Sequence, residues 1–238
     1  MKCLILAAGY ATRLYPLTEN FPKPLLKVGE KTILDWLVDD IAFTGKVEEF
    51  FVISNHRFAQ YFTEWAESKE EKITVVDDGT STNETRLGAV RDIQFVMEQC
   101  GIREDVLVIA GDNVMDFSFR HFLEFAEEKG TSCIMTHEEK ELPKQQRTAI
   151  ITYDEDCRVT SYEEKPKQPK SSHAVPPFYY YLAEDAARIP EALDAGCSAD
   201  APGSFAAWLS GQVHLHAFEM PGKRYDIGNL ESYRNVQE

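Results

Sequence analysis

The sequence has no basic excess. Its 238 residues carry 25 lysines and arginines against 40 aspartates and glutamates, a formal net charge of −15. Nucleic acid and anionic membrane surfaces are bound through a basic face, so neither is an expected partner. A local basic pocket for phosphates is still compatible with an acidic chain. No apolar run approaches the roughly 20 residues that span a bilayer. The N-terminus offers one basic residue and only the short apolar run Cys3-Leu4-Ile5-Leu6, so no signal peptide is expected. The five cysteines, Cys3, Cys100, Cys133, Cys157 and Cys197, form no C-x-x-C pair and no metal-like spacing. An odd, scattered set points to reduced thiols and a cytoplasmic location. Internal repeats and low-complexity tracts are absent. So are a Walker A loop and a G-x-G-x-x-G fingerprint, because Gly9 has no glycine partners at those spacings.

What is present starts with 43% hydrophobic residues, enough for a sizeable core. At about 150 residues per domain, the length allows one large domain or two small ones. The chain is organised around residues 2–27. The apolar run reads as a buried first strand, and it ends in the small-residue loop Ala7-Ala8-Gly9-Tyr10-Ala11. Small residues let a ligand approach the backbone, where N–H groups can point at phosphate oxygens. Thr12 and Arg13 follow, and then Lys23, set between Pro22 and Pro24, which each fix φ. A forked guanidinium and a stiffly mounted ammonium suit a phosphate-bearing ligand. A strand and small-residue turn also occur in proteins that bind nothing there, and the residues alone leave both readings open.

Strand and helix alternate to about residue 130. Apolar spacing predicts helices over 32–43, 58–68, 87–99 and 119–128, and strands over 50–53, 73–76 and 106–110. That order implies βαβ units, right-handed crossovers and a largely parallel sheet. Ligands of such sheets bind beyond the carboxyl ends of the strands, where three polar loops fall. The aromatic stripe Phe58, Tyr61, Phe62 and Trp65 reads as core packing. Strands are expected over 133–136, 149–153, 159–162, 178–182 and 213–218, and helices over 183–193, 204–209 and 228–236. Residues 165–177, with four prolines, read as a mobile connection that could cover the cleft. One domain with two lobes is expected, over 1–130 and 131–238.

Asp112 follows the most apolar strand directly, in Ala110-Gly111-Asp112-Asn113. It can be a turn or capping aspartate, or a ligand for magnesium, which prefers one or two carboxylates plus phosphate oxygens. Asp226, in Lys223-Arg224-Tyr225-Asp226-Ile227-Gly228, likewise stands between a strand and a helix. His214 and His216 alternate along a strand with no third ligand in view and read as structural.

In register, Ala7-Ala8-Gly9, Thr12-Arg13-Leu14, Pro16, Thr18 and Pro22-Lys23-Pro24 together resemble the signature of the sugar-1-phosphate nucleotidylyltransferases, in style those acting on glucose 1-phosphate with a thymidine nucleotide. The resemblance runs from the first strand to the closing aspartate-isoleucine-glycine. It implies a Rossmann-like nucleotide-diphospho-sugar transferase fold, with a mostly parallel mixed sheet flanked by helices. It implies a magnesium-dependent reaction of an NTP with a sugar 1-phosphate that gives an NDP-sugar and pyrophosphate, thymidylyl or uridylyl transfer being favoured. Carried over by motif, Asp112 and Asp226 would hold Mg²⁺, and Arg13 and Lys23 would act on the phosphates. Ala7, Ala8, Gly9 and Thr12 would cradle the nucleotide. Asn83 and Gly88 would read its base, with Asn where the pyrimidine-specific members carry Gln. Glu164 and Lys165, in Glu163-Glu164-Lys165-Pro166, would hold the sugar and its phosphate. Ala11 stands where the family usually has glycine, which is tolerable if its φ is negative. The resemblance leaves a homo-oligomer open, and a C-terminal extension of the kind longer relatives carry is not expected. Other readings are transfer to a non-sugar phosphate such as phosphocholine and a non-catalytic nucleotide-sugar sensor. A related glycosyltransferase would show a D-x-D motif, which Gly111-Asp112-Asn113 does not supply.

Overall fold

The structure, a computed structural model, describes residues 1–236. Strand β1 (Lys2–Leu6) is the opening apolar run. A small hairpin, β2 (Lys27–Val28) with β3 (Lys31–Thr32), leads into α1 (Ile33–Phe43). Thr32 caps that helix: its hydroxyl accepts from the Asp35 N–H at 3.0 Å, and the Asp35 carboxylate accepts from the Thr32 N–H at 2.8 Å. This reciprocal box satisfies two of the helix's orphan donors. Then come β4 (Glu49–Ser54), α2 (Ala59–Glu67), β5 (Ile73–Asp77), α3 (Ala89–Gln99), β6 (Val106–Ala110), β7 (Asn113–Met115) and α4 (Arg120–Lys129). The second half adds β8 (Cys133–Glu138), α5 (Leu142–Gln145), β9 (Ala149–Tyr153), β10 (Val159–Glu164), β11 (His173–Val175) and β12 (Phe178–Tyr181). It closes with α6 (Ala183–Ala186), α7 (Ile189–Asp194), α8 (Gly203–Ser210), β13 (His216–Glu219), β14 (Arg224–Asp226) and α9 (Leu230–Asn235).

The main sheet runs β10-β9-β11-β8-β12-β6-β1-β4-β5, with β13 added alongside β8. Strands β5, β4, β1 and β6 are parallel, while β12 enters antiparallel to β6. The mixed sheet flanked by helices is the expected architecture. Side-chain alternation gives it two apolar faces. Cys3, Ile5, Leu107 and Ile109 pack with α1 and α4 on one, and Leu4, Val106 and Val108 with α3 and α8 on the other. Phe58, Phe62 and Trp65 lie in the core, whereas Tyr61 reaches the surface against Phe21, ring centroids 5.3 Å apart.

Four expectations need correction. Residues 165–177 are not all a loose cover, because His173–Val175 forms β11, inserted between β8 and β9. The apolar Ala174 and Val175 are buried there, which holds the strand inside the sheet. The single helix expected over 183–193 is two, α6 and α7, because Pro190 has no N–H to continue a helix and suits only a first turn. The helix expected from residue 87 starts at Ala89, since Gly88 takes φ +92° at its N-cap. The strand expected from residue 213 starts at His216, because Leu209 O accepts from the Gln212 and Val213 N–H groups and winds that segment onto the end of α8.

Candidate active site

Sheet order reverses between β1 and β6, and the loops after these two strands form the crevice where α/β proteins bind ligands. Ala7 is still tied to the sheet, its N–H donating to Ile53 O at 2.9 Å. Asn55 Nδ2 holds Ala8 O at 2.9 Å. The N–H groups of Ala8 to Ala11 make no intramolecular hydrogen bond among the described residues. Such unsatisfied donors are what an anion-binding loop offers.

Ala11 departs from the sequence expectation: its φ is +47°, in the left-handed region. The reason is the turn that follows. Leu14 N–H donates to Ala11 O at 3.0 Å, and Thr18 Oγ1 donates to the same oxygen at 2.8 Å. The two bonds hold the Ala11 carbonyl in place, and a Cβ there costs roughly 1–2 kcal/mol.

Lys23 opens a short 3-10 turn after Pro22, whose extended backbone (ψ 133°) directs the chain inward. Its side chain is buried, and Nζ donates to Asp112 Oδ2 at 2.7 Å. Gly111 makes this meeting possible. Its N–H donates to Leu6 O at 3.0 Å, and a Cβ would stand 3.0 Å from Ile5 Cγ2 and 3.6 Å from Pro24 Cγ. Absence of a side chain thus lets the loop after β6 close on β1 and on the Lys23 turn.

Asp226 arrives by a different route. Strand β14 pairs antiparallel with β7, and the register sets Asp226 opposite Asn113 and Arg224 opposite Met115. Ile227 N–H donates to Asp112 O at 3.4 Å, a second tie between the two aspartates' segments. The Asp226 carboxylate is exposed and accepts no hydrogen bond among the described residues. Arg13, Lys23 and Asp112 line one cavity of about 240 Å³ with Ala7, Gly9 and Gly228. Asp226 lines an adjoining recess of about 640 Å³ with His137 and Arg224. Burial first, and Arg224 second, push the His137 imidazole down to about 4 and keep it neutral.

Not every expected site residue joins this cavity. Thr12 is exposed on the 3-10 turn that follows the loop. The loop after β5 does reach the first loop, since Tyr10 Oη donates to Thr80 O at 3.3 Å. Asn83 is exposed, with its side-chain oxygen accepting from Arg86 at 3.3 Å. Gly88 is buried, and a Cβ there would lie 2.6 Å from Ala199 O. Glu164 ends β10, opposite Ala149, and Lys165 follows it with its N–H donating to Thr148 O at 3.1 Å; neither lines the cavity of Lys23 and Asp112. The Glu164 carboxyl is raised by burial, an effect the Lys165 charge partly offsets. Behind Gly88, on α3, sits Asp92, a buried carboxylate that no motif marked. Asn113 and Arg224 were also missed, being only neighbours of motif aspartates. Their one signal is position beside Asp112 and Asp226.

These features define an α/β protein of the nucleotide-diphospho-sugar transferase fold. A solved UDP-glucose pyrophosphorylase, complexed with UDP-glucose, superposes with a TM-score of 0.85, covering 99% of this chain and 96% of that one at 19% identity. The model of the Nucleotidyl transferase family matches residues 2–238, and the chain belongs to that family. Among curated relatives, the glucose-1-phosphate adenylyltransferase of Thermosipho africanus is 26% identical over 251 aligned positions, taking in 97% of this chain and 59% of that protein. The bifunctional protein GlmU of Methanococcus aeolicus is 30% identical over 183 residues, 72% of this chain and 38% of its own. The chain thus spans only part of the length of these relatives.

Proposed function

We propose that this protein transfers a nucleotidyl group from an NTP to a sugar 1-phosphate, forming an NDP-sugar and releasing pyrophosphate. The observation that carries the reading is the 2.7 Å pairing of a buried lysine, Lys23, with Asp112 at the sheet's switch point, beneath a loop of unsatisfied N–H groups. In the reaction a phosphate oxygen of the sugar 1-phosphate attacks the α-phosphorus in line. The bond from that phosphorus to the bridging oxygen breaks, and pyrophosphate carries the electron pair away. The attacking oxygen is already ionised at neutral pH, so no protein nucleophile or base is required. The work is positioning and charge neutralisation. Lys23 spans the α-phosphate and the incoming phosphate, Arg13 steadies the pyrophosphate, and Lys165 with Glu164 orients the acceptor.

Magnesium fits the donor set. Asp112 and the unpartnered Asp226 supply two carboxylates, and among the described residues no group of three or more His, Cys, Asp or Glu stands ready to hold a metal alone. That suits an ion that takes its remaining ligands from phosphates and water. When bound, it would neutralise charge on the triphosphate. Lys23 would then exchange Asp112 for the phosphates.

The spacing of Asn83 and Gly88 supports thymidylyl or uridylyl transfer, while the curated relatives include an adenylyltransferase. The test is pyrophosphate release with Mg²⁺ across a matrix of NTPs and sugar 1-phosphates, with phosphocholine as a control acceptor. Turnover with a sugar 1-phosphate supports the reading, and the base that works settles the nucleotide. Turnover with phosphocholine alone, or none in any combination, overturns it.

A further inference from the structure

Asp112 belongs to a hydrogen-bonded chain that begins on β14. The Arg224 guanidinium donates through Nη1 to Asn113 Oδ1 at 2.9 Å. The Asn113 side chain, itself fully buried, donates through Nδ2 to Asp112 Oδ1 at 2.7 Å and to Ala110 O at 3.3 Å. Lys23 Nζ takes the other carboxylate oxygen, Oδ2, at 2.7 Å.

The order of groups matters. A carboxamide has one accepting end and one donating end, and a guanidinium can only donate. Arg224 therefore forces the Asn113 oxygen toward itself and the NH₂ toward Asp112. Reversed, the amide would set a carbonyl oxygen against a carboxylate and an NH₂ against a cation. Arg224 thus decides the orientation of Asn113, and Asn113 commits Asp112 Oδ1. The lysine-facing oxygen is left as the one that can change partners. Strand geometry supports the arrangement. Arg224 and Asp226 are two residues apart on β14 and project from one face, so the same pairing with β7 that aims Arg224 at Asn113 sets Asp226 beside it.

We propose that Arg224 and Asn113 are positioning residues that fix the Asp112 carboxylate for a divalent cation. The proposal rests on the reading of Asp112 as a metal ligand. Partners of this kind, one shell out from the metal, hold ligating carboxylates in their binding orientation. Arg224 acts on the affinity for the metal and on turnover, and leaves the KM for nucleotide at saturating Mg²⁺ where it was.

The test uses Mn²⁺ as probe in the presence of inorganic pyrophosphate, which supplies the phosphate ligands, titrated into the protein and followed by EPR, on wild type, Arg224→Met, Arg224→Lys, Asn113→Ala, the Arg224→Met/Asn113→Ala double variant and Asp112→Asn. Thermal unfolding and far-UV CD establish that each variant is folded. Because Asn113 is buried, the half-exposed Arg224 pair keeps the test intact if Asn113→Ala does not fold. Arg224→Met and Asn113→Ala are each expected to weaken Mn²⁺ binding roughly 10–100-fold, as loss of an outer-shell partner does. The double variant should be no weaker than the worse single one, because both cut one chain. Arg224→Lys, which can still donate to Asn113 Oδ1, should recover much of the loss. The same order should appear in the Mg²⁺ concentration that half-saturates turnover. Wild-type Mn²⁺ affinity in Arg224→Met, with Asp112→Asn impaired, overturns the positioning role alone. Wild-type affinity in Asp112→Asn overturns the metal reading of Asp112 and the proposal with it.

Discussion

Replacing Asp92 with asparagine should make the protein more stable, and far more so in mild alkali than in mild acid. Asp92 lies in the first turn of α3, where its N–H donates to Gly88 O at 2.9 Å. Its side chain is 6% exposed, and Oδ1 has no hydrogen-bond partner. Burial first, and the charge of the neighbouring Asp78 second, push its carboxyl up to about 7. In the unfolded chain the same group titrates near 3.9. Between these two values the folded protein keeps a proton that the unfolded chain has released, so the unfolded state binds fewer protons and stability falls as pH rises. Below pH ~4 the penalty is absent, and above pH ~7 it is complete, about 4 kcal/mol for three pKa units. Asparagine cannot ionise and escapes it. From pH 5 to pH 8 the advantage of Asp92→Asn over wild type should therefore grow by about 3 kcal/mol. For a chain of this size that is a further rise in Tm of roughly 6–12 °C. Thermal unfolding of both proteins, followed by CD at pH 5 and pH 8 and constant ionic strength, measures it. A stability difference that is the same at both pH values refutes the argument.

Four further outcomes follow from the same geometry. Lys23→Ala should lower turnover by roughly 10²–10³, as removal of an electrostatic stabiliser does, and Asp112→Asn should lose most turnover. Pyrophosphate release measures both, and unchanged rates contradict the assigned roles. Ala11→Gly should stabilise by about 0.5–1 kcal/mol, since relief of the left-handed Cβ exceeds the added chain entropy, and a lower unfolding midpoint would contradict it. Gly88→Ala should destabilise by more than about 2 kcal/mol, because a Cβ at φ +92° would also stand 2.6 Å from Ala199 O. Denaturant titration decides that case.

The parallel half of the sheet was legible because its strands are continuous apolar runs and its helices keep a strict 3.6-residue stripe, as in α1 with Ile33, Leu34, Leu37, Val38 and Ile41 buried. The antiparallel half was less so. Strand β11 is three residues long and follows a proline-rich, charged segment, so its place between β8 and β9 depends on long-range pairing that local pattern does not encode. The ribbon of β7 and β14 escaped for the same reason. Motif spacing was enough to single out Lys23 and Asp112, and their close pairing follows from Gly111, whose missing side chain the sequence does display. It could not disclose that Arg224 reaches Asn113, since those residues stand 111 positions apart and meet only through the β7–β14 register.

The segment between α7 and α8 shows why the candidate base-reading and sugar-binding residues, remote in sequence, are not independent. Ala199 O accepts from the Val90 N–H at 2.9 Å, and Asp200 pairs with Arg86 at 3.3 Å, which anchors the segment to the loop that carries Asn83 and Gly88. Four residues on, the backbone of Gly203 lies against the other side. A Cβ there would fall 2.3 Å from Glu164 Oε1, and 3.0 and 3.2 Å from the hydroxyls of Tyr162 and Tyr179. Glycine at 203 and glycine at 88 answer the same demand from opposite ends, since each lets one stretch of backbone pack where a side chain would intrude. Residues 199–203 are therefore a wall shared by both candidate subsites, packed against Gly88 on one side and Glu164 on the other.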